Sequence, residues 1–336
     1  MLSHWTTHCG LSLVHFLAFP DCGSGNGPIL ESVEKVLMDD FFTGVEISRI
    51  NDLEVRRKVA ALIQQTHANV DFGLHPIILG EKLNLNSDDM GQRNHALETL
   101  SSFMPQAAEL GAKRVSLLSG PDPGPSGRAE ATKLLIDSLQ QLSEKARAHG
   151  LTVVLETFDR EVDKKSLIGP VAEAAAVAKE LRKNFPDFGL LYDQGHGLLL
   201  DEEPQAALTT IREYVVHIHV GNCVKVPGQA SHGDSHPRFG FPGSENDVPE
   251  LAAFIRSLFD VGYLSLDGSL NDRPGIGFEV KPQPGESSLA ILVNIKRSWR
   301  DAWNLVQPPA PEPQTPRRSL DRASCADHRP SSSAIS

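Results

Sequence analysis

The sequence predicts a (β/α)8 barrel, eight strands each followed by a helix and closed into a ring. Three observations lead there. Short β-like runs alternate with longer stretches of helical periodicity, eight of each in strict order. The 336 residues are long for one ordinary domain and normal for one large α/β barrel. The competing architecture, a doubly wound open sheet, would want a glycine-rich phosphate fingerprint after the first strand, and none is there.

The elements follow in order. LSLVHFL (11–17) is the first strand, and a helix follows around 28–38. GVEIS (44–48) leads to a helix over 53–67, and NVDFGLHP (69–76) to one over 91–111 that ends in LGA. RVSLLSG (114–120) leads to 128–149, which stops at Gly150, a usual helix terminator. LTVVLETF (151–158) leads to 170–184, and FGLLYDQGH (188–196) to 204–213. VVHIHVGN (215–222) leads, after a long loop, to 247–261, and GIGFEVKP (275–282) to the last helix, 286–306. The barrel therefore takes residues 1–306 as a single domain. The remaining segment, 307–336, is rich in Pro and Ser and poor in apolar residues, and reads as a disordered tail.

Composition narrows the function classes. Net charge is −11, from 32 Lys+Arg against 43 Asp+Glu, so phosphate backbones are repelled and nucleic acid is a poor partner. The four cysteines (Cys9, Cys22, Cys223, Cys325) show no CxxC and no framework spacing, which suits reduced thiols in a cytoplasmic protein. GLSLVHFLAF is apolar but short and lacks a preceding Lys or Arg; it is a first strand rather than a signal peptide. No apolar run approaches a membrane span. LSGPDPGPSG (118–127) has glycines, but its prolines lack the backbone donors a phosphate cradle needs.

The active face of such a barrel lies at the C-terminal strand ends. There the sequence offers His75 on strand three, Glu156 on five, Asp193 with His196 just beyond it on six, His219 on seven and Glu279 on eight. Alternation puts Glu156 on one face with Val154, Asp193 with Leu191, and Glu279 with Gly277 and Lys281. Glu156, Asp193, His219 and Glu279 thus converge, and their oxygen and imidazole donors suit a divalent cation such as Mn²⁺, Mg²⁺, Co²⁺ or Zn²⁺. Three carboxylates in a barrel core would otherwise be too costly to ionise. His217, one layer deeper than His219, is expected to be hydrogen-bonded behind it. The loop 222–246 adds Asp234 and His236, which with His196 suit a second metal or sugar hydroxyls. Lys225 and Arg238 are its candidate cations for an anionic group on a substrate.

LETFDRE, YDQGH, HIHVGN, GDSHPRFGFPG and FEVKP, in this order, resemble the sugar phosphate isomerase/epimerase superfamily, the xylose-isomerase-like TIM barrels. The resemblance covers about 11–306. It implies a metal held by Glu156, Asp193, His219 and Glu279, with substrate contact from His196 and from Lys225, where ketose 3-epimerases carry an arginine. It implies a metal-dependent isomerase or epimerase of a small sugar or polyhydroxy carbonyl compound. Proton transfer through an ene-diolate would use Glu156 and Glu279 as base and acid. The same barrel resembles dehydratases of the dehydroshikimate or inosose type. It also resembles endonuclease IV, a multi-zinc phosphodiesterase whose metal-binding histidines His75 and His196 and D-x-H pair Asp234/His236 would match, while strand four ends LLSG without a histidine. A non-catalytic sugar-binding barrel is a further alternative. The expected partner is a small molecule, with self-association into a homo-oligomer compatible with such barrels.

Overall fold

Alternation along each strand sorts the side chains into two populations, and that sorting builds the site. The computed structural model describes residues 3–265 and 273–306. Its strands are β1 (Gly10–Val14), β2 (Gly44–Ile47), β3 (Asn69–Gly73), β4 (Arg114–Leu117), β5 (Thr152–Glu156), β6 (Gly189–Asp193), β7 (Val215–Gly221) and β8 (Gly275–Glu279). Neighbours pair in parallel, β1 with β2 through to β8, and β8 closes on β1. This is the predicted eight-stranded parallel barrel. The segment expected to be a tail, 307–336, lies outside the described residues, as does Cys325.

The outward positions are apolar and form the layer between strands and helices. Leu11, Leu13, Val45, Ile47, Phe72, Val115, Leu155, Tyr192, Ile218, Val220, Ile276 and Phe278 are all buried there. Burial of this kind contributes roughly 1.5–3 kcal/mol per large side chain. The inward positions are largely polar or glycine instead, with Val14, Val154 and Leu191 among them. Ser12, Glu46, Asp71, Ser116, Glu156, Asp193, His217, His219 and Glu279 are all buried. Branched apolar layers usually fill a barrel of this size, so a polar interior marks chemistry.

Helix ends are fixed by local residues. Asp52 and Asp89 accept from the first free backbone N–H groups of Leu53–Thr66 and Met90–Ser102, and Asp247 and Glu250 form a capping box on Val248–Asp260. Several expected boundaries move, among them that of the run 188–196, whose strand ends at Asp193. β1 ends at Val14, and His15 opens a short helix, His15–Ala18. The helix expected over 91–111 is split into Met90–Ser102 and Met104–Glu109, because Pro105 cannot continue a helical ladder. His75 is not the last residue of a strand: β3 stops at Gly73, and His75 begins the helix His75–Glu81, with Pro76 in its first turn. Cys9, Cys22 and Cys223 are buried free thiols. Among the described residues no helix is long and apolar enough to cross a membrane.

Candidate metal centre

The strand registers stagger the inward residues around the barrel: Glu156 pairs with Leu191 and Glu279 with Gly221. Asp193 sits beside His219 across β6 and β7, and His219 beside Gly277 across β7 and β8. A register shift between Leu190 and Leu191 lets Leu191 pair with His217, so both histidines stay inside the barrel. Gly277 is required by what surrounds it: a Cβ there would lie 2.1 Å from Glu46 Oε1 and 2.8 Å from His219 Cδ2.

His219 Nδ1 lies 2.7 Å from Glu279 Oε2 and 3.6 Å from Glu156 Oε1. Asp193, His219 and Glu279 offer ligand atoms within 4.8 Å of one another, and Glu156, His196 and Glu279 do the same. Asp193 caps the helix Gln194–Leu199: its Oδ1 accepts from His196 N, at 2.9 Å. That turn swings His196 over the strand ends, where its Nδ1 donates to the Thr157 carbonyl at 2.9 Å. Its Nε2 therefore faces Asp234 Oδ1 at 3.1 Å. His236 Nε2 faces the same oxygen at 2.8 Å. His196, Asp234 and His236 form a further group of ligand atoms within 4.8 Å. His75 Nε2 reaches Glu156 Oε2 at 2.9 Å.

The long loop is braced to make this delivery. Asn222 Nδ2 donates to the carbonyls of Arg238 and Asn246, its Oδ1 accepts from Asn246 N, and Asn246 Nδ2 donates to the Gly221 carbonyl. His236 sits in the left-handed region at φ 47°, and its carbonyl accepts from Lys281 N.

The electrostatics fit a cation. Burial pushes the Asp193 carboxyl up to about 7, with the Glu279 carboxylate adding to the rise and His196 opposing it. Burial would also raise Glu156, but His75 and His219 hold it well below the usual carboxylate range. Burial would lower His196 and His219, yet the carboxylates around each hold both well above the ordinary value. His75 Nε2, Glu156 Oε1, Asp193 Oδ2, His196 Nε2 and Asp234 Oδ1 are buried without a hydrogen-bond partner. Buried polar atoms are rarely left so. Several face one another at contact distance without hydrogen-bond alignment, as donors around a shared cation would. The residues present therefore fit a divalent metal.

A cavity of about 380 Å³ opens over this cluster. Its lining combines the apolar Phe16, Pro76, Leu79 and Phe158 with His75, Asp234, His236, Glu279, Lys164 and Lys281. Lys225 and Arg238 do not line it. Lys225 pairs with Asp201, and Arg238 pairs with Glu286 at 2.9 Å and lies over Phe241. The cations at the cavity are Lys164, which bridges Asp163 and Asp234 at 2.9 and 3.0 Å, and Lys281. Sequence reasoning also missed Glu46. Its Oε2 lies 2.7 Å from His219 Nε2 and its Oε1 2.8 Å from His217 Nε2. A larger cavity, about 710 Å³, opens at the opposite end of the barrel near Asp71 and Arg114 and holds none of the predicted site residues.

Known structures share this architecture. A D-tagatose 3-epimerase-like protein aligns at 16% identity and TM-score 0.64, covering 89% of this chain and 100% of its own. The IOLI protein with a binding zinc atom aligns at 16% and 0.66, covering 87% and 97%. An AP endonuclease, family 2, from Brucella melitensis aligns at 18% and 0.61, covering 86% and 97%. At these identities the likeness carries the fold alone. No curated protein sequence matches the chain. A family model described as a xylose isomerase-like TIM barrel matches residues 39–286, and to that family the chain belongs.

Proposed function

We propose that the chain is a divalent-metal-dependent isomerase or epimerase of a small sugar or polyhydroxy carbonyl compound. The observation that carries this reading is the meeting of two buried carboxylates, Glu156 and Glu279, at His219 Nδ1 beneath an open cavity. Glu156, Asp193, His219 and Glu279 would hold the metal, which when bound would polarise the substrate carbonyl as a Lewis acid. Glu156, held ionised by its histidines, accepts the proton from the carbon next to the carbonyl. Glu279, reaching in from β8, is also held ionised, so the proton it returns to the substrate first reaches it from solvent or from His236 beside it. Phe158 and Phe16 give the cavity an apolar lining that would favour a drier site around the substrate. His196 and His75 hold Glu156, and His236 stands 3.5 Å from Glu279 Oε1. The buried free thiols and acidic balance accord with a cytoplasmic enzyme of small molecules. The test is a panel of ketoses and related compounds in D₂O with added Mn²⁺, Co²⁺, Mg²⁺ or Zn²⁺. Deuterium entering next to the carbonyl supports the reading; loss of water to a conjugated chromophore turns it to a dehydratase.

One observation favours a second reading, a multi-metal phosphodiesterase. His196, Asp234 and His236 form their own buried group, and His75 meets Glu156 beside it. Against it stands β4, where Ser119 follows the strand and only accepts from Ile168 N. Hydrolysis of bis(p-nitrophenyl) phosphate by zinc-loaded protein, without exchange on any sugar, would favour this second reading.

A further inference from the structure

Glu46 is 2% exposed at the inner end of β2, and its neighbours occupy both its oxygens. Oε2 lies 2.7 Å from His219 Nε2. Oε1 lies 2.8 Å from His217 Nε2 and accepts from Ser12 Oγ at 2.9 Å. A carboxylate can only accept, so both imidazoles present Nε2–H to it. A neutral His219 is then left with a bare Nδ1. That is the atom 2.7 Å from Glu279 Oε2 and 3.6 Å from Glu156 Oε1.

We propose that Glu46 is a positioning residue of the metal centre, selecting the tautomer and ring orientation of His219 that offer Nδ1 to a divalent cation. This rests on the metal reading given above. A carboxylate behind a metal-binding imidazole fixes the ring and raises its basicity. The layer beneath leaves Glu46 free for that task. Asp71 is held by Arg114 in a two-pronged pair at 2.8 and 2.6 Å, and its Oδ2 stays 3.9 Å from His217 Nε2. His217 therefore turns to Glu46 and pins the oxygen that His219 does not use. Gly277 keeps the space into which Glu46 and His219 fit.

Glu46→Gln tests this on the full chain. The amide keeps the shape but can accept at only one oxygen, so its NH₂ faces one imidazole and a tautomer must change. Zinc affinity is read by competition with a chromophoric chelator, and the His219 ring state by ¹⁵N imidazole NMR of zinc-loaded protein, where a cation at Nδ1 takes the place of a proton. The expected result is Nε2–H at His219 in the wild type, its loss in Glu46→Gln, and zinc binding weaker by about 10- to 100-fold. His217→Gln, which removes the pin but not the partner of His219, weakens zinc far less. Nδ1–H at His219 in the zinc-loaded wild type would overturn the assignment. So would unchanged zinc affinity in Glu46→Gln, or an equal loss in His217→Gln, which would make the lower cluster itself the ion's holder. Should Glu46→Gln not fold, Ser12→Ala removes one bond to Glu46 and shifts affinity in the same direction by less; no shift there overturns the assignment too. A wild-type chain that takes up no zinc or Mn²⁺ sinks the metal reading itself, which separates the two failures.

Discussion

Glu46 Oε2 and His219 Nε2 lie 2.7 Å apart inside the barrel, although β2 and β7 are not neighbours in the sheet. The contact runs through the barrel interior, past β1 and β8. It ties the one inward histidine at the active face to a carboxylate that no motif surrounds. The space for it is made by Gly277, the register partner of His219. Gly277→Ala is therefore expected to cost about 1–3 kcal/mol as overpacking and to weaken metal binding in the same variant. Urea unfolding and zinc titration check this; a variant as stable and as tight as the wild type would refute the packing argument.

Glu156→Gln and Glu279→Gln each remove a proton carrier while nearly keeping shape. Each should lower exchange of the substrate proton with D₂O by about 10²-fold or more. Mass spectrometry of recovered substrate reads the loss. Full exchange in both variants would end the acid/base assignment.

His15 lies apart from the metal centre, its Nε2 2.8 Å from Ser32 Oγ and its ring stacked on Phe19. Burial holds its pKa down to about 4 against an ordinary 6.5. Between those values the unfolded chain binds a proton that the folded chain refuses. Its contribution is thus full above pH 6.5 and is lost as pH falls through 4, by about 3 kcal/mol. His15→Gln should lose less stability than the wild type between pH 7 and pH 4.5 in urea unfolding; equal losses would show that His15 is not the acid-sensitive group.

Lys225 and Arg238 pair away from the cavity, with Asp201 and Glu286. Lys225→Ala and Arg238→Ala should leave kcat/KM within about fivefold, the scale of a surface ion pair. Lys281→Ala, at the cavity, should raise KM by more than either. A large loss from Lys225→Ala with no change from Lys281→Ala would return the anion contact to the loop.

The barrel was legible because eight alternations of period leave few closed solutions, and the convergence of Glu156, Asp193, His219 and Glu279 because strand alternation is a rigid rule. The same rule applied to GVEIS places Glu46 on the inward face with Gly44 and Ser48. A lone glutamate in a short strand carries no neighbouring motif, which is why it passed unnoticed. Pro76 was the available sign that His75 starts a helix rather than ends a strand. The directions of Lys225 and Arg238 were not legible, since loop 222–246 follows no period and is set by the bonds of Asn222 and Asn246. Lys164 was hidden for a related reason: its loop is held by Asp159, whose carboxylate accepts from the backbone N–H groups of Val162, Asp163 and Lys164.

The central claim is that the polar interior holds a divalent cation, and the metal content of the purified chain tests it most directly. Elemental mass spectrometry of protein prepared without chelator should find close to one divalent ion per chain, falling sharply in Asp193→Asn. Two or three zinc ions per chain would move the account to the phosphodiesterase reading. No metal, and none taken up from Mn²⁺ or Zn²⁺, would contradict it and leave a barrel whose buried carboxylates serve some other end.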